Sequence, residues 1–323
     1  MNKKALILGI GGQDGSYLAE NLLSHGYEVH GLYRRTSVDN LWRIQGIRNR
    51  VTLHKGDLLD LGSVVHVVET CRPDIIFNEA DQDDASWSFH NAGLAVDITY
   101  GFVAKMLAWL NDDKGCHRIK FFQPLSATVF GDSEHPQTEE SAFNPRSPYA
   151  CAKAACYDLC QYYREVQGLQ IYTGIFYNHD SPRRGGGYLL QHITQEAVNI
   201  GLSSDDSKPL LLGSPDTWVD IGYAPEFMDA ARQIIEAGEP DDYVVATGRL
   251  HQIRRLATQA LRYMGVKNPE DRIQVDPNYK RADAVGILCG DISKLRKATG
   301  WYPWLDAMNV VRILVDHYKG VRR

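Results

Sequence analysis

A short apolar run near the start of the sequence, Lys4-Ala-Leu-Ile-Leu8, passes into Gly9-Ile10-Gly11-Gly12-Gln13-Asp14-Gly15 and then into Ser16-Tyr-Leu-Ala-Glu-Asn-Leu-Leu23. No other stretch limits the fold as tightly. The apolar run reads as a buried parallel strand, and the segment after the glycines has helical spacing. Gly9, Gly12 and Gly15 form a G-x-x-G-x-x-G series between the two. Glycines at that junction permit a tight turn and let a pyrophosphate approach backbone N–H groups at a helix N-terminus. With the strand before it and the helix after it, the series points to a dinucleotide site made by Gly9, Gly12, Gln13, Asp14 and Gly15.

The rest of the first half repeats the pattern. Further strands are expected at Glu28–Tyr33, Val51–His54, Arg72–Phe77 and Ile119–Phe122. Strands alternating with helices imply an α/β fold with a Rossmann-like, doubly wound parallel sheet. The dinucleotide-binding domain is placed at residues 1–175, with later segments returning to it. After Phe176 the pattern becomes irregular, so residues 176–323 are assigned mainly to a smaller C-terminal substrate-binding lobe. The second strand ends in Arg34-Arg35 where an NAD-selective site carries an acidic residue. Two arginines suit a 2′-phosphate, which favours NADP, with NAD the other option. Asp57 and Leu58, after the third strand, are expected at the adenine end.

Composition narrows the class. A net charge of −5 argues against a nucleic-acid surface, and no apolar run reaches the ~18 residues that span a bilayer. The six cysteines include no C-x-x-C. No metal site is expected, and reduced thiols in a cytoplasmic protein are the expectation.

The chemistry-bearing motif lies in Ser147-Pro148-Tyr149-Ala150-Cys151-Ala152-Lys153. A helix puts Tyr149 and Lys153, four apart, on one face. A phenol titrates near pH ~10, and an adjacent ammonium favours its phenolate. A tyrosine so tuned removes a proton from a sugar or alcohol hydroxyl while a nicotinamide takes the hydride.

Together these segments resemble the extended short-chain dehydrogenase/reductases that modify nucleotide sugars, and within them the GDP-mannose 4,6-dehydratase family. The resemblance is carried by Gly12-Gln-Asp-Gly-Ser-Tyr-Leu-Ala-Glu20, Gly26-Tyr-Glu-Val-His-Gly31, Asn144-Pro-Arg-Ser-Pro-Tyr149, Asn178-His-Asp-Ser-Pro-Arg-Arg-Gly185 and Val245-Ala-Thr-Gly248. It implies a nucleotide-diphosphate sugar as substrate. Such enzymes oxidise the sugar at C4, eliminate water across C5 and C6, then return the hydride to C6. It also implies that Tyr149 is the C4 base, Lys153 lowers its pKa and holds the nicotinamide ribose, and Ser126 hydrogen-bonds the C4 oxygen. Asn178, Arg184, Arg254 and Arg281 would face the diphosphate. A homodimer or homotetramer is the expected assembly.

The substrate half departs from the family. Where the dehydratases carry Ser-Thr-Ser-Glu before Leu/Met-Tyr/Phe-Gly, this chain has Leu125-Ser126-Ala127-Thr128-Val129-Phe130-Gly131, so Thr128 replaces the glutamate that takes the C5 proton. That string is similar to the corresponding strand of UDP-galactose 4-epimerases, which need no C5 base. The family's Asn-Leu-Ala-Ala-Gln-Ser becomes Asn78-Glu79-Ala80-Asp81-Gln82-Asp83, followed by Asp84. These carboxylates would repel a diphosphate unless they turn away. Four readings follow: a divergent dehydratase using Asp83, Asp84 or His179 as its base, a 4-epimerase or C4 oxidoreductase, an oxidoreductase drawing an amine-bearing substrate to Asp83 and Asp84, and a non-catalytic cofactor binder.

Overall fold

The computed structural model describes residues 3–37, 39–112, 116–205, 207–279 and 286–321. Its strands are β1 (Lys4–Leu8), β2 (Glu28–Tyr33), β3 (Val51–Lys55), β4 (Ile75–Asn78), β5 (Lys120–Ser126), β6 (Ile171–Phe176), β7 (Asn178–Asp180), β8 (Leu210–Leu212), β9 (Trp218–Tyr223), β10 (Asp242–Val245), β11 (Leu250–Gln252) and β12 (Ile273–Val275). The helices are α1 (Gln13–Ser24), α2 (Leu61–Cys71), α3 (Ala85–Ser88), α4 (Ala92–Val96), α5 (Phe102–Asp112), α6 (Pro148–Glu165), α7 (Leu189–Gly201), α8 (Ala224–Ala237), α9 (Ile253–Tyr263), α10 (Ser293–Thr299) and α11 (Ala307–Val321).

Seven parallel strands form the main sheet in the order β10-β6-β5-β4-β1-β2-β3. β1 lies inside it with Ala5 to Leu8 fully buried, as a continuous apolar strand between two helix layers requires. Helices α2, α5 and α6 pack on one another along one face, and α1 and α8 pair on the other. The chain order reverses at β1 and β4, the switch point where ligands of such sheets bind. Leu8 is in register with both Leu32 and Asn78, so Gly9, Arg34 and Glu79 leave the sheet at one carboxyl edge.

Three expected strands shift at their ends. β3 runs one residue further, to Lys55. β4 starts at Ile75 rather than Arg72, because Arg72 is left-handed (φ 47°) and closes α2 by donating its N–H to Val68 O at 2.8 Å. β5 continues past Phe122 to Ser126, pairing with β6 beyond the last β4 contact. Pro124 lies in that overhang and lacks an N–H, and its carbonyl accepts from a side chain instead.

One expectation about apolar runs is corrected. A continuous helix from Ala92 to Asp112, 21 residues, is apolar enough by length and composition to cross a membrane. Its stripe of Phe102, Val103, Met106, Leu107 and Leu110 is buried in the main core, which accounts for that composition.

The second half is not one separate block. β10 and α8 return to the main sheet, while α7, α9 and α11 enclose a second apolar core with Leu210, Leu212 and Ile273.

Candidate active site

The glycine loop follows from steric needs. Gly9 has φ +83°, and a Cβ there would sit 2.8 Å from Glu79 O. A Cβ on Gly15 would meet Gly9 O at 2.4 Å, so neither position admits a side chain. Gly12 caps α1 in extended conformation, and the first-turn N–H groups of α1 face the cradle. These residues fit the pyrophosphate of a dinucleotide.

Asn178 to Arg184 wraps this loop. Ser181 Oγ donates to Gln13 Oε1 at 2.7 Å, and Arg183 reaches Ser16 Oγ at 3.1 Å and Glu20 Oε1 at 2.5 Å. His179 Nδ1 faces Tyr177 O at 2.7 Å and Nε2 faces Asp14 Oδ2 at 3.1 Å. Burial would raise the Asp14 pKa, but His179 and Arg184 outweigh it and hold the carboxyl below its ordinary value. Gln13 and Asp14 therefore spend their polar atoms on this segment. At the same sheet edge Arg34 and Arg35 are exposed beyond β2. Asp57 Oδ1 accepts from Leu59 N at 3.1 Å, and Leu58 is buried.

Helix α6 starts at Pro148 and is capped by Ser147, whose Oγ accepts from Ala150 N at 3.1 Å. Tyr149 N donates to Ser88 Oγ at 3.3 Å, tying α6 to the segment after β4. Tyr149 and Lys153 are both buried, with Nζ 5.7 Å from the phenol ring centroid. Lys153 Nζ donates to Pro124 O at 2.7 Å and pairs with Asp81 Oδ2 at 2.7 Å. Asp81 Oδ1 accepts from Thr99 Oγ1 at 2.5 Å. Burial alone would lower the Lys153 pKa, but Asp81 and then Tyr149 raise it above its ordinary value.

Burial outweighs Lys153, which lowers the Tyr149 pKa in the expected direction. Burial pushes the Tyr149 pKa above the usual phenol value, and Asp81 and Asp83 add to that. Lys153 and a hydrogen bond with Ser126 oppose it without prevailing. The spacing of Tyr149 and Lys153 is as expected, but Asp81 takes up much of the ammonium's charge. Ser126 ends β5, and its Oγ accepts from Thr128 Oγ1 at 2.9 Å.

The acidic segment turns its charges to protein partners. Asp83 Oδ2 lies 3.4 Å from Arg184 Nη2, and the Arg184 guanidinium stacks on Tyr188 at 3.7 Å. Asp84 caps α3, accepting from Trp87 N at 2.9 Å. Both carboxylates stay exposed, Asp83 with 57% of its side-chain surface, so these contacts leave them open to a cationic ligand. His179 is no free base, since both ring nitrogens face acceptors.

The expected diphosphate cluster is not assembled as unpaired groups. Asn178 is exposed at the start of β7, and Arg254 makes a bidentate pair with Asp216 at 2.8 and 2.9 Å. Arg281 lies outside the described residues. Half-exposed pairs such as Arg254–Asp216 contribute only about 0–1 kcal/mol, so an incoming diphosphate can exchange with the carboxylate.

Residue-by-residue reading missed two side chains. Asp81 is one. Glu79 is the other: its Oε1 is enclosed and has no hydrogen-bond partner among the described residues. Burial first, and then the charge of Asp14, push the Glu79 carboxyl up to about 8, against the pull of Lys153. Both replace apolar residues of the family string, and that was the available signal.

Comparison with known proteins bears on this geometry. The family profile described as GDP-mannose 4,6 dehydratase matches residues 6–314. The chain belongs to this family. It is 36% identical to GDP-mannose 4,6 dehydratase 1 of Arabidopsis thaliana over 97% of the chain and 89% of that protein. It is 34% identical to the GDP-mannose 4,6-dehydratase of Yersinia enterocolitica, over 93% and 90% of the two chains. The fold matches a dTDP-glucose 4,6-dehydratase from Streptomyces venezuelae with NAD and TYD bound (TM-score 0.86, 19% identity, 99% and 98% coverage). It also matches a UDP-glucose 4-epimerase from Thermotoga maritima with UDP-glucose (TM-score 0.86, 17% identity, 99% and 100% coverage). The RMD protein of Pseudomonas aeruginosa complexed with NADPH has the same fold (TM-score 0.80, 20% identity, 99% coverage of both). The GDP-mannose 4,6-dehydratase family is thus the frame in which Tyr149, Lys153 and Ser126 are read.

Proposed function

We propose that this protein is a nicotinamide-dinucleotide-dependent enzyme that oxidises C4 of a nucleotide sugar, with GDP-mannose the first candidate and NADP the favoured cofactor. The observation that supports the reading is that α6 sets Lys153 against Pro124 of β5 and Asp81 after β4, with β4 the neighbour of β1 and its glycine loop. A bound nicotinamide supplies the hydride acceptor. Tyr149, as the phenolate, takes the proton of the C4 hydroxyl and becomes the phenol, Ser126 hydrogen-bonds the C4 oxygen, and Lys153 steadies the phenolate before the transfer. Arg34 and Arg35 suit a 2′-phosphate, and Arg184, Arg254 and Asn178 suit the diphosphate.

The elimination step has no evident base at the family's position, because a threonine hydroxyl does not take protons near neutral pH. Removing such a group costs about 10²–10⁴ in rate. On incubation with GDP-mannose and NADP, C4 oxidation or epimerisation is therefore expected to outrun formation of a 4-keto-6-deoxy sugar. Mass spectrometry follows the loss of water, absorbance at the nicotinamide band follows net oxidation, and chromatographic separation of the sugar nucleotides follows epimerisation. No product from any nucleotide sugar would overturn the reading, and rapid dehydration would show that another residue supplies the base.

The assembly we favour is a dimer through α4, α5 and α6. Leu94, Val96, Tyr162 and Val166 are exposed there, more apolar surface than a solvated face requires. Sedimentation should give at least twice the chain mass, and Tyr162→Asp with Val166→Asp should give the single-chain mass.

A further inference from the structure

We infer that Glu79 is a proton-carrying, ligand-facing side chain of the cofactor cleft, which gives its carboxyl O–H to the bound dinucleotide and so couples cofactor binding to proton uptake. The inference rests on the dinucleotide reading of the cleft.

Three observations place Glu79. Its residue follows β4 at the switch point, against the first glycine of the cradle, where a Cβ on Gly9 would touch Glu79 O at 2.8 Å. Its Oε1 is buried and accepts no hydrogen bond from the described residues. Its charged neighbours are Asp14 from α1 and Lys153 from α6. Lys153 is already committed to Asp81 and Pro124 O, and Asp14 to His179. Among the described residues, then, no cation pairs with Glu79 as a carboxylate, and Lys153 acts on it only at a distance. A buried polar atom with no protein partner calls for an explanation, and a ligand that brings the partner is one.

The protonated form resolves the conflict. A neutral carboxyl is a donor as well as an acceptor. Phosphate and ribose oxygens of a dinucleotide are acceptors. A carboxylate in the same place would meet the charge of a bound pyrophosphate with like charge. The free carboxyl titrates at about 8, so the unbound protein gives up this proton within an accessible range. The bound ligand holds it on. Among the neighbours, the pKa of Asp14 is shifted down and that of Lys153 up, so neither titrates between pH 7 and 9.5.

The sign follows from linkage. A ligand that prefers the protonated form binds more tightly as pH falls, until the free group is itself fully protonated. The dissociation constant of NADH or NADPH should be flat below about pH 7 and rise towards tenfold per pH unit above about 8. Titration calorimetry of the full chain, in two buffers of different ionisation enthalpy, should show proton uptake approaching one per bound dinucleotide at pH 9. Glu79→Gln keeps a donor of the same shape but cannot titrate. It should bind with an affinity independent of pH from 7 to 9.5 and with no proton uptake. If that variant does not fold, Glu79→Leu must give the same flat profile with weaker binding. A flat profile in the unmodified protein, or an unchanged slope in the variant, overturns the inference while leaving the dinucleotide site standing. Failure to bind either dinucleotide at any pH overturns the cleft reading and this inference with it.

Discussion

Tyr149→Phe is expected to lower hydride transfer by about 10²–10⁴ while leaving dinucleotide binding within a few-fold. The substitution removes one hydroxyl from a buried ring and disturbs little else, because the Tyr149 backbone contact to Ser88 Oγ is made by its N–H. The phenol's neighbours define what is lost. Ser126 offers a hydrogen bond to the phenol oxygen, and Lys153 lies over the ring, so no other group replaces the proton acceptor. Single-turnover absorbance of the reduced nicotinamide measures the chemical step, and calorimetry measures binding. In the unmodified protein the rate should rise with pH well beyond neutrality. The Tyr149 pKa is shifted up by burial, Asp81 and Asp83, and only the deprotonated oxygen accepts the sugar's proton. A variant that keeps more than a tenth of the rate would remove Tyr149 from the role of base.

Sequence and structure meet in this prediction unevenly. β1, the glycine loop and α1 were legible because each glycine answers a local steric need: Gly15 touches Gly9, six residues away. Tyr149 and Lys153 were legible because helical spacing alone brings them together. Electrostatics was not, since it depends on partners far apart in the chain. Asp81 meets Lys153 only after β4 and α6 have packed, and Arg184 meets Asp83 across the same gap. The string Asn178 to Arg184 marked the family correctly, yet Gln13, Asp14 and Ser16 take up His179, Ser181 and Arg183. Counting carboxylates in Glu79 to Asp84 gave the charge of the segment but not its direction. Asp84 turns back to cap its own helix, Asp83 goes to an arginine, and Glu79 Oε1 accepts no hydrogen bond from the described residues.

Asp81 tests how far that packing controls the chemistry. Its carboxylate and the Lys153 ammonium are 2.7 Å apart, with side chains 14% and 4% exposed. Breaking a buried pair by removing one partner costs about 3–5 kcal/mol, because the remaining charge stays buried. Asp81→Ala should therefore melt at least about 5 °C lower in the absence of ligand. Thr99 Oγ1 also loses its acceptor in this variant. Asp81→Asn separates charge from shape: its amide oxygen can still accept from Thr99, so the stability loss should be smaller. Both variants free the Lys153 charge to act on Tyr149, and both remove a carboxylate that raises the phenol's pKa. The pH at which hydride transfer reaches half its maximum should fall by about one unit, equivalent to about 1.4 kcal/mol. Rates near neutral pH should rise accordingly. Stability and pH profile are independent readouts, so a purely structural role for Asp81 would move the first and not the second. If Asp81→Asn leaves the profile in place while Tyr149→Phe abolishes transfer, Tyr149 remains the base, and the Asp81–Lys153 pair serves only to hold α6 against the segment after β4.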